Sequence, residues 1–121
     1  MQHKISVDAM GGDFGPSVTI PASLKILKKY ENISIVLVGN SDEITKILKK
    51  KKSLNHSRIT IHNATQIVGM DELPQSALKN KKDSSMRVSI NLVKEGVVDA
   101  CVSAGNTGAL MATARFVLRM L

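Results

Sequence analysis

The sequence predicts an α/β fold: an open, mostly parallel sheet with helices on both faces, Rossmann-like in outline. Three observations predict it. Short β-branched runs alternate four times with segments of helical period, the pattern of repeated βα units. One run, Ile33 to Val38, is apolar apart from Ser34, as a strand covered on both faces requires. Glycine-rich turns follow the first and fourth runs, where such folds pass from strand to helix. A length of 121 residues with 43% hydrophobic and 22% charged residues is ordinary globular composition, with room for one α/β domain over 1–121.

The first strand is expected over Lys4 to Ala9, then a turn containing Gly11, Gly12 and Gly15. A helix follows from near Pro16 to Tyr30. Pro16 suits a first helical position, whereas Pro21 should sit in the first turn or mark a kink. The second strand, Ile33 to Val38, is backed by Gly39. Asn40 and Glu43 then have capping-box spacing ahead of a helix with Ile44, Ile47 and Leu48 on one face. Arg58 to Asn63 alternates as a third strand, and residues 64–82 read as the longest irregular stretch. Asp83 or Ser84 caps a helix with Met86, Ile90, Leu92 and Val93 inward, ended by Gly96. Asp99 to Ser103 is the fourth strand, and Gly105 to Gly108 turn into a last helix, Ala109 to Leu121. That helix is apolar almost all round, with Leu110, Met111, Phe116, Val117, Leu118 and Leu121 in need of cover. The sequence stops inside it without a cap, so the chain reads as the front part of a longer fold.

Composition excludes several functions. Aromatics are 2% of the chain, leaving only Tyr30, Phe14 and Phe116 to stack a base, which argues against a nucleic-acid partner. The single Cys101 excludes an internal disulfide, and His3, His56 and His62 fit no metal-ligand spacing. No run of 18 apolar residues occurs and Asp8 interrupts the first apolar segment, so a cytoplasmic location is expected. The net charge is +7, of which residues 41–82 carry +5. Lys49 to Lys52 and the group Lys79, Lys81 and Lys82 supply it, so this third reads as a basic face for an acidic or phosphorylated partner, although Lys49 to Lys52 also suit a helix C-terminus.

The glycine-rich turns narrow the chemistry. Asp8-Ala9-Met10-Gly11-Gly12-Asp13-Phe14-Gly15-Pro16 departs from G-x-G-x-x-G, and Asp13 would stand where a pyrophosphate lies. A nicotinamide cofactor is disfavoured, a P-loop is absent, and no cofactor is expected. Ser103-Ala104-Gly105-Asn106-Thr107-Gly108 combines close backbone approach, the neutral donors Ser103, Asn106 and Thr107, and a helix start: the elements of an anion site, and equally of an ordinary turn. Ser84 and Ser85 are helix caps first and ligand contacts second. Cys101 lies in an apolar strand, where a thiol is an inert small hydrophobe. There is no G-x-S-x-G elbow, so displacement without a covalent enzyme intermediate fits better than a Ser or Cys nucleophile.

The stretches DAMGGDFGPSVTIPASL (8–24), LVGNSDEI (37–44), MDELPQSALKNKKDSSMRVSINLVKEG (70–96) and DACVSAGNTGALMATA (99–114) resemble, in order and spacing, the bacterial acyl-ACP:phosphate acyltransferase (PlsX) family. The resemblance implies an isocitrate/isopropylmalate dehydrogenase-like α/β fold. It implies that fatty acyl-ACP and inorganic phosphate become acyl phosphate, a step toward phosphatidic acid in phospholipid synthesis. It also implies acyl carrier protein as an acidic partner, a homodimer, and peripheral membrane association in chains of family length. Asn106, Thr107 and Gly108 become substrate contacts on this resemblance, with Asp8, Gly12, Asp13, Lys82, Ser84 and Ser85 lining the same cleft. Members of the family are well over twice this length. The competing expectation is therefore an inactive remnant, or an interaction module that binds acyl carrier protein.

Overall fold

The computed structural model describes residues 1–119. Its elements in chain order are β1 (His3–Asp8), α1 (Pro16–Lys29), β2 (Ile33–Gly39), α2 (Ser41–Lys50), β3 (Ile59–Asn63), α3 (Pro74–Asn80), α4 (Ser85–Lys94), β4 (Ala100–Val102) and α5 (Thr107–Leu118). The four strands form one all-parallel sheet in the order β3-β2-β1-β4, the α/β architecture that the alternating runs predict.

β2 shows why the pattern works. Its residues alternate between two cores: Ile35 and Leu37 meet Ile20 and Leu27 of α1 and Ile44 and Leu48 of α2. Val36 and Val38 meet Val88 and Leu92 of α4 on the other face. Successive side chains of a strand point to opposite faces, so a central strand with helices on both sides must be apolar at odd and even positions alike. A third cluster joins α4 to α3 and α5 through Met86, Ile90, Ala77, Ala109 and Val117.

The helix boundaries follow local chemistry. Asn40 Oδ1 accepts from Glu43 N at 3.1 Å, Ser84 Oγ accepts from Arg87 N at 3.0 Å, and Asn106 Oδ1 accepts from Ala109 N at 3.1 Å, each meeting an amide that the first turn leaves unpaired. At the other end of α1, the Arg58 guanidinium donates to Leu27 O at 2.7 Å and to Tyr30 O and Ile33 O at 2.8 Å each, fastening the helix terminus to β2.

Four expectations are corrected. The stretch 64–82 is not irregular throughout: α3 occupies Pro74–Asn80, opened by Pro74 and burying only Ala77, too small an apolar face to show as a period. Pro21 lies in the second turn of α1, inside the helix, which removes the first-turn alternative of the two expected for it. The last helix begins at Thr107, not Ala109, and it is covered more than its composition implies: Val117 is buried and Leu110 and Leu118 are half-buried against α3 and α4, leaving Met111 and Phe116 exposed. Leu121 lies outside the described residues.

The basic middle third is the fourth correction, because it is not one face. α2 runs from the carboxyl end of β2 back to the amino end of the sheet, so Lys49 to Lys52 stand at the edge opposite Lys79, Lys81 and Lys82, which follow the carboxyl end of β3. Among the described residues no helix is long and apolar enough to cross a membrane.

Replacing Arg58 with Met should lower stability by about 1 to 3 kcal/mol, since three carbonyls lose a charged donor, and Arg58→Lys should recover only part of that. Urea unfolding of the two variants beside the parent measures it, and an unchanged midpoint would show that the clamp contributes nothing.

Candidate functional site

β1 sends its chain through α1 to β2 on one side, while β4 lies on its other side. The β1–α1 and β4–α5 turns therefore diverge from adjacent strands, and the sheet reverses its winding there, which opens a crevice at the carboxyl ends of the strands.

The two turns are joined across this crevice by polar contacts. Ser103 Oγ–H donates to Asp8 Oδ2 at 2.8 Å, and Ser103 Oγ accepts from Gly105 N at 3.1 Å. Gly11 makes the junction possible: a Cβ there would stand 2.9 Å from Asp8 Oδ2, closer than real Cβ atoms come, and a tight 3.0 Å from Gly105 N. Gly12 has φ of 88° and faces Ala104, the second point at which the turns meet. Asp8 is 2% exposed, and its Oδ1 has no hydrogen-bond partner among the described residues.

A count of donors changes the part each predicted residue can play. The single Ser103 hydroxyl proton is engaged by Asp8. Asn106 Nδ2 donates to Gly69 O at 3.1 Å and Glu72 O at 2.7 Å, while its Oδ1 caps α5, so this side chain is fully occupied in tying the 69–72 segment to the helix start. Ser84 is buried and caps α4, and Ser85 is buried with its amide donated to Gln66 O at 3.0 Å. What faces solvent at the β4–α5 turn is Thr107 with its hydroxyl, and Gly108, whose amides lie in the first turn of α5. The start of α4 comes close through Met86, whose Cε lies 3.1 Å from where a Cβ of Gly105 would be. Asp13 and Lys82 are exposed at the rim, outside the hydrogen-bonded junction.

Three features escaped the sequence. An apolar cleft of about 300 Å³ lies on the α1 side of the sheet, lined by Ile5, Val7, Val18, Ala22, Val102 and Ala104, and it touches the junction at Asp8. The loop ahead of α4 is closed by Asp83, whose carboxylate accepts from Thr65 Oγ1 at 2.6 Å and Thr65 N at 3.0 Å; the hydroxyl first and the amide second hold its pKa below the usual carboxylate value. Lys81 is tied inward, donating to Ile67 O at 2.8 Å with Glu72 at 3.7 Å, which leaves Lys79 and Lys82 as the exposed lysines of this loop. No local motif announces such contacts, because they join residues 9 to 18 positions apart in sequence. Cys101 is half-buried, and burial first, with the Asp8 charge second, pushes its thiol up and away from nucleophilic use.

Comparison with known proteins gives a consistent family. Residues 3–121 match the model of a family described as "Fatty acid synthesis protein". A protein of Francisella philomiragia named phosphate acyltransferase is 58% identical over 125 aligned residues, covering 98% of this chain and 36% of its own length. One of Francisella tularensis with the same name is 58% identical over 127 aligned residues, covering all of this chain and again 36% of its own length. The chain thus spans about a third of the curated relatives it matches.

Two predictions follow from the junction and its loop. Asn106→Asp should keep the cap on α5 but lose both donations to Gly69 and Glu72, while Asn106→Ala loses all three bonds; the Ala variant should fall by about 1 to 3 kcal/mol in urea unfolding, and both should speed amide exchange in residues 69–74. Asp83→Asn should destabilise at neutral pH. A depressed carboxylate pKa contributes stability that is present above its unfolded value and disappears as pH falls through the folded one. The gap between variant and parent should therefore close in acid, which pH-resolved thermal unfolding tests.

Proposed function

The chain belongs to the fatty acid synthesis protein family, and from that premise we propose that it carries the phosphate-binding part of an acyltransferase that makes acyl phosphate from fatty acyl-ACP and inorganic phosphate. The observation that supports this best is the closed Asp8–Ser103–Gly105 junction, which holds the start of α5 in place beside an apolar cleft. Thr107 and Gly108 then offer two backbone amides, one hydroxyl and the positive end of a twelve-residue helix to an oxyanion.

The chemistry asks little more of the protein. Phosphate is already an anionic nucleophile, so the site has to position it and stabilise the charge that develops on the thioester oxygen. A phosphate oxygen attacks the thioester carbonyl carbon, a C–O bond forms and the C–S bond breaks. The proton that hydrogen phosphate brings leaves on the carrier thiol, so no enzyme nucleophile is needed. The cleft of Ile5, Val7, Val18, Ala22 and Val102 suits the first methylenes of the acyl chain, which gain by leaving water. The acidic carrier protein docks near Lys79 and Lys82, at the same end of the sheet as the crevice, while Lys49 to Lys52 at the far end lie too remote to present a thioester to it.

The decisive assay is formation of acyl phosphate from acyl carrier protein thioester and labelled phosphate, using this chain alone and mixed with the part of a Francisella relative beyond the matched third. Product is expected in the mixture, and none in either case would overturn the reading. Lys79→Glu with Lys82→Glu should weaken carrier-protein binding several-fold, most of it in the association rate and all of it diminishing with salt, whereas the same reversal at Lys49 and Lys50 should change it little. Equal effects of the two pairs, measured by surface plasmon resonance, would reject the assignment of the docking face.

A further inference from the structure

The junction leaves one group unexplained: Asp8 Oδ1, in a side chain only 2% exposed, has no partner among the described residues. An unmet acceptor of this kind is costly, and native structures keep one where a ligand, water or ion completes it. Its surroundings narrow the choice. Asp8 Oδ2 is already engaged by Ser103, and the carboxyl group lies beneath the backbones of Gly11 and Gly105, at the foot of the turn whose amides and hydroxyl supply the donors for an anion. An unpaired acceptor thus lies beside the turn that leads into α5.

We infer that Asp8 is the specificity-determining residue of the anion site, its Oδ1 accepting a hydrogen bond from the protonated oxygen of hydrogen phosphate. This rests on the reading of the β4–α5 turn as a phosphate cradle. Amides and a hydroxyl alone bind any tetrahedral oxyanion and cannot tell phosphate from sulfate. A carboxylate oxygen in the same site can: hydrogen phosphate carries an O–H at neutral pH and satisfies it, whereas sulfate carries none and meets it with lone pairs and like charge. A site built to bond a ligand hydroxyl discriminates against analogues that lack it, because its own buried group stays unpaired. Oδ1 has almost no exposed surface in the free chain, so phosphate reaches it by a local opening of the two turns that keeps the hydrogen bond from Ser103 to Asp8 Oδ2.

The test titrates inorganic phosphate and, separately, sulfate into the 121-residue chain at matched ionic strength, by calorimetry and by amide NMR. Phosphate should bind at least about tenfold more tightly than sulfate, and the Gly11 and Gly105 amides should move with phosphate only. In Asp8→Asn an amide donor can replace the acceptor, so the preference should shrink or reverse toward sulfate, a change that loss of packing would not produce. Equal binding of both anions by the parent chain would overturn the role of Asp8 while leaving the cradle standing, and needs no variant to fold. Binding of neither would overturn the cradle and this inference together.

Discussion

The hydrogen bond from Ser103 to Asp8 joins residues 95 positions apart at the one place where the sheet changes its direction of winding. β1 must have neighbours on both sides for the fold to exist, with β2 in register from His3 to Asp8 and β4 from Ile5 to Val7. Two turns then leave adjacent strands in opposite directions and would splay apart if nothing held them. Asp8, Ser103 and the amide of Gly105 hold them, and the glycine at position 11 lets the two backbones come near enough for that.

A consequence is that the most polar side chains of the site are occupied with one another. Asn106 has the composition of a ligand contact, yet its three hydrogen bonds all go to the protein, capping α5 and drawing in the segment that leads to α3. Ser84 does the same for α4. Thr107 and Gly108, in the first turn of α5, are exposed and are not tied up in this way. The apolar cleft on the α1 side of the sheet, which reaches Asp8 and Ala104, is of the opposite character.

Charge is organised by the same topology. The helices α1, α2 and α4 run back toward the amino end of the sheet, and their terminal lysines travel with them: Lys28 and Lys29 on α1, Lys49 and Lys50 on α2 and Lys94 on α4. There they complement the negative ends of the helices. A net charge of +7 therefore describes the chain without describing either end of the sheet.

The sequence by itself determined the four strands, a cap at Asn40 and one at Asp83 or Ser84, the apolar character of β2 apart from Ser34 and the two glycine-rich turns, because each follows from interactions within a few residues or from a periodicity that burial imposes. The turn 103–108 marked Ser103, Asn106, Thr107 and Gly108 as residues to watch, and the family resemblance added Asp8, Gly12, Asp13, Lys82, Ser84 and Ser85. α3 stayed hidden because a seven-residue helix with one buried alanine has no period to read. Only the tertiary structure decided that Ser103 gives its proton to Asp8, that Asn106 reaches Gly69 and Glu72, that the two lysine groups part to opposite ends of the sheet, and that one oxygen of Asp8 is left without a partner. These depend on strand order and on close backbone approach between distant segments, and neither is written in the spacing of residues along the chain.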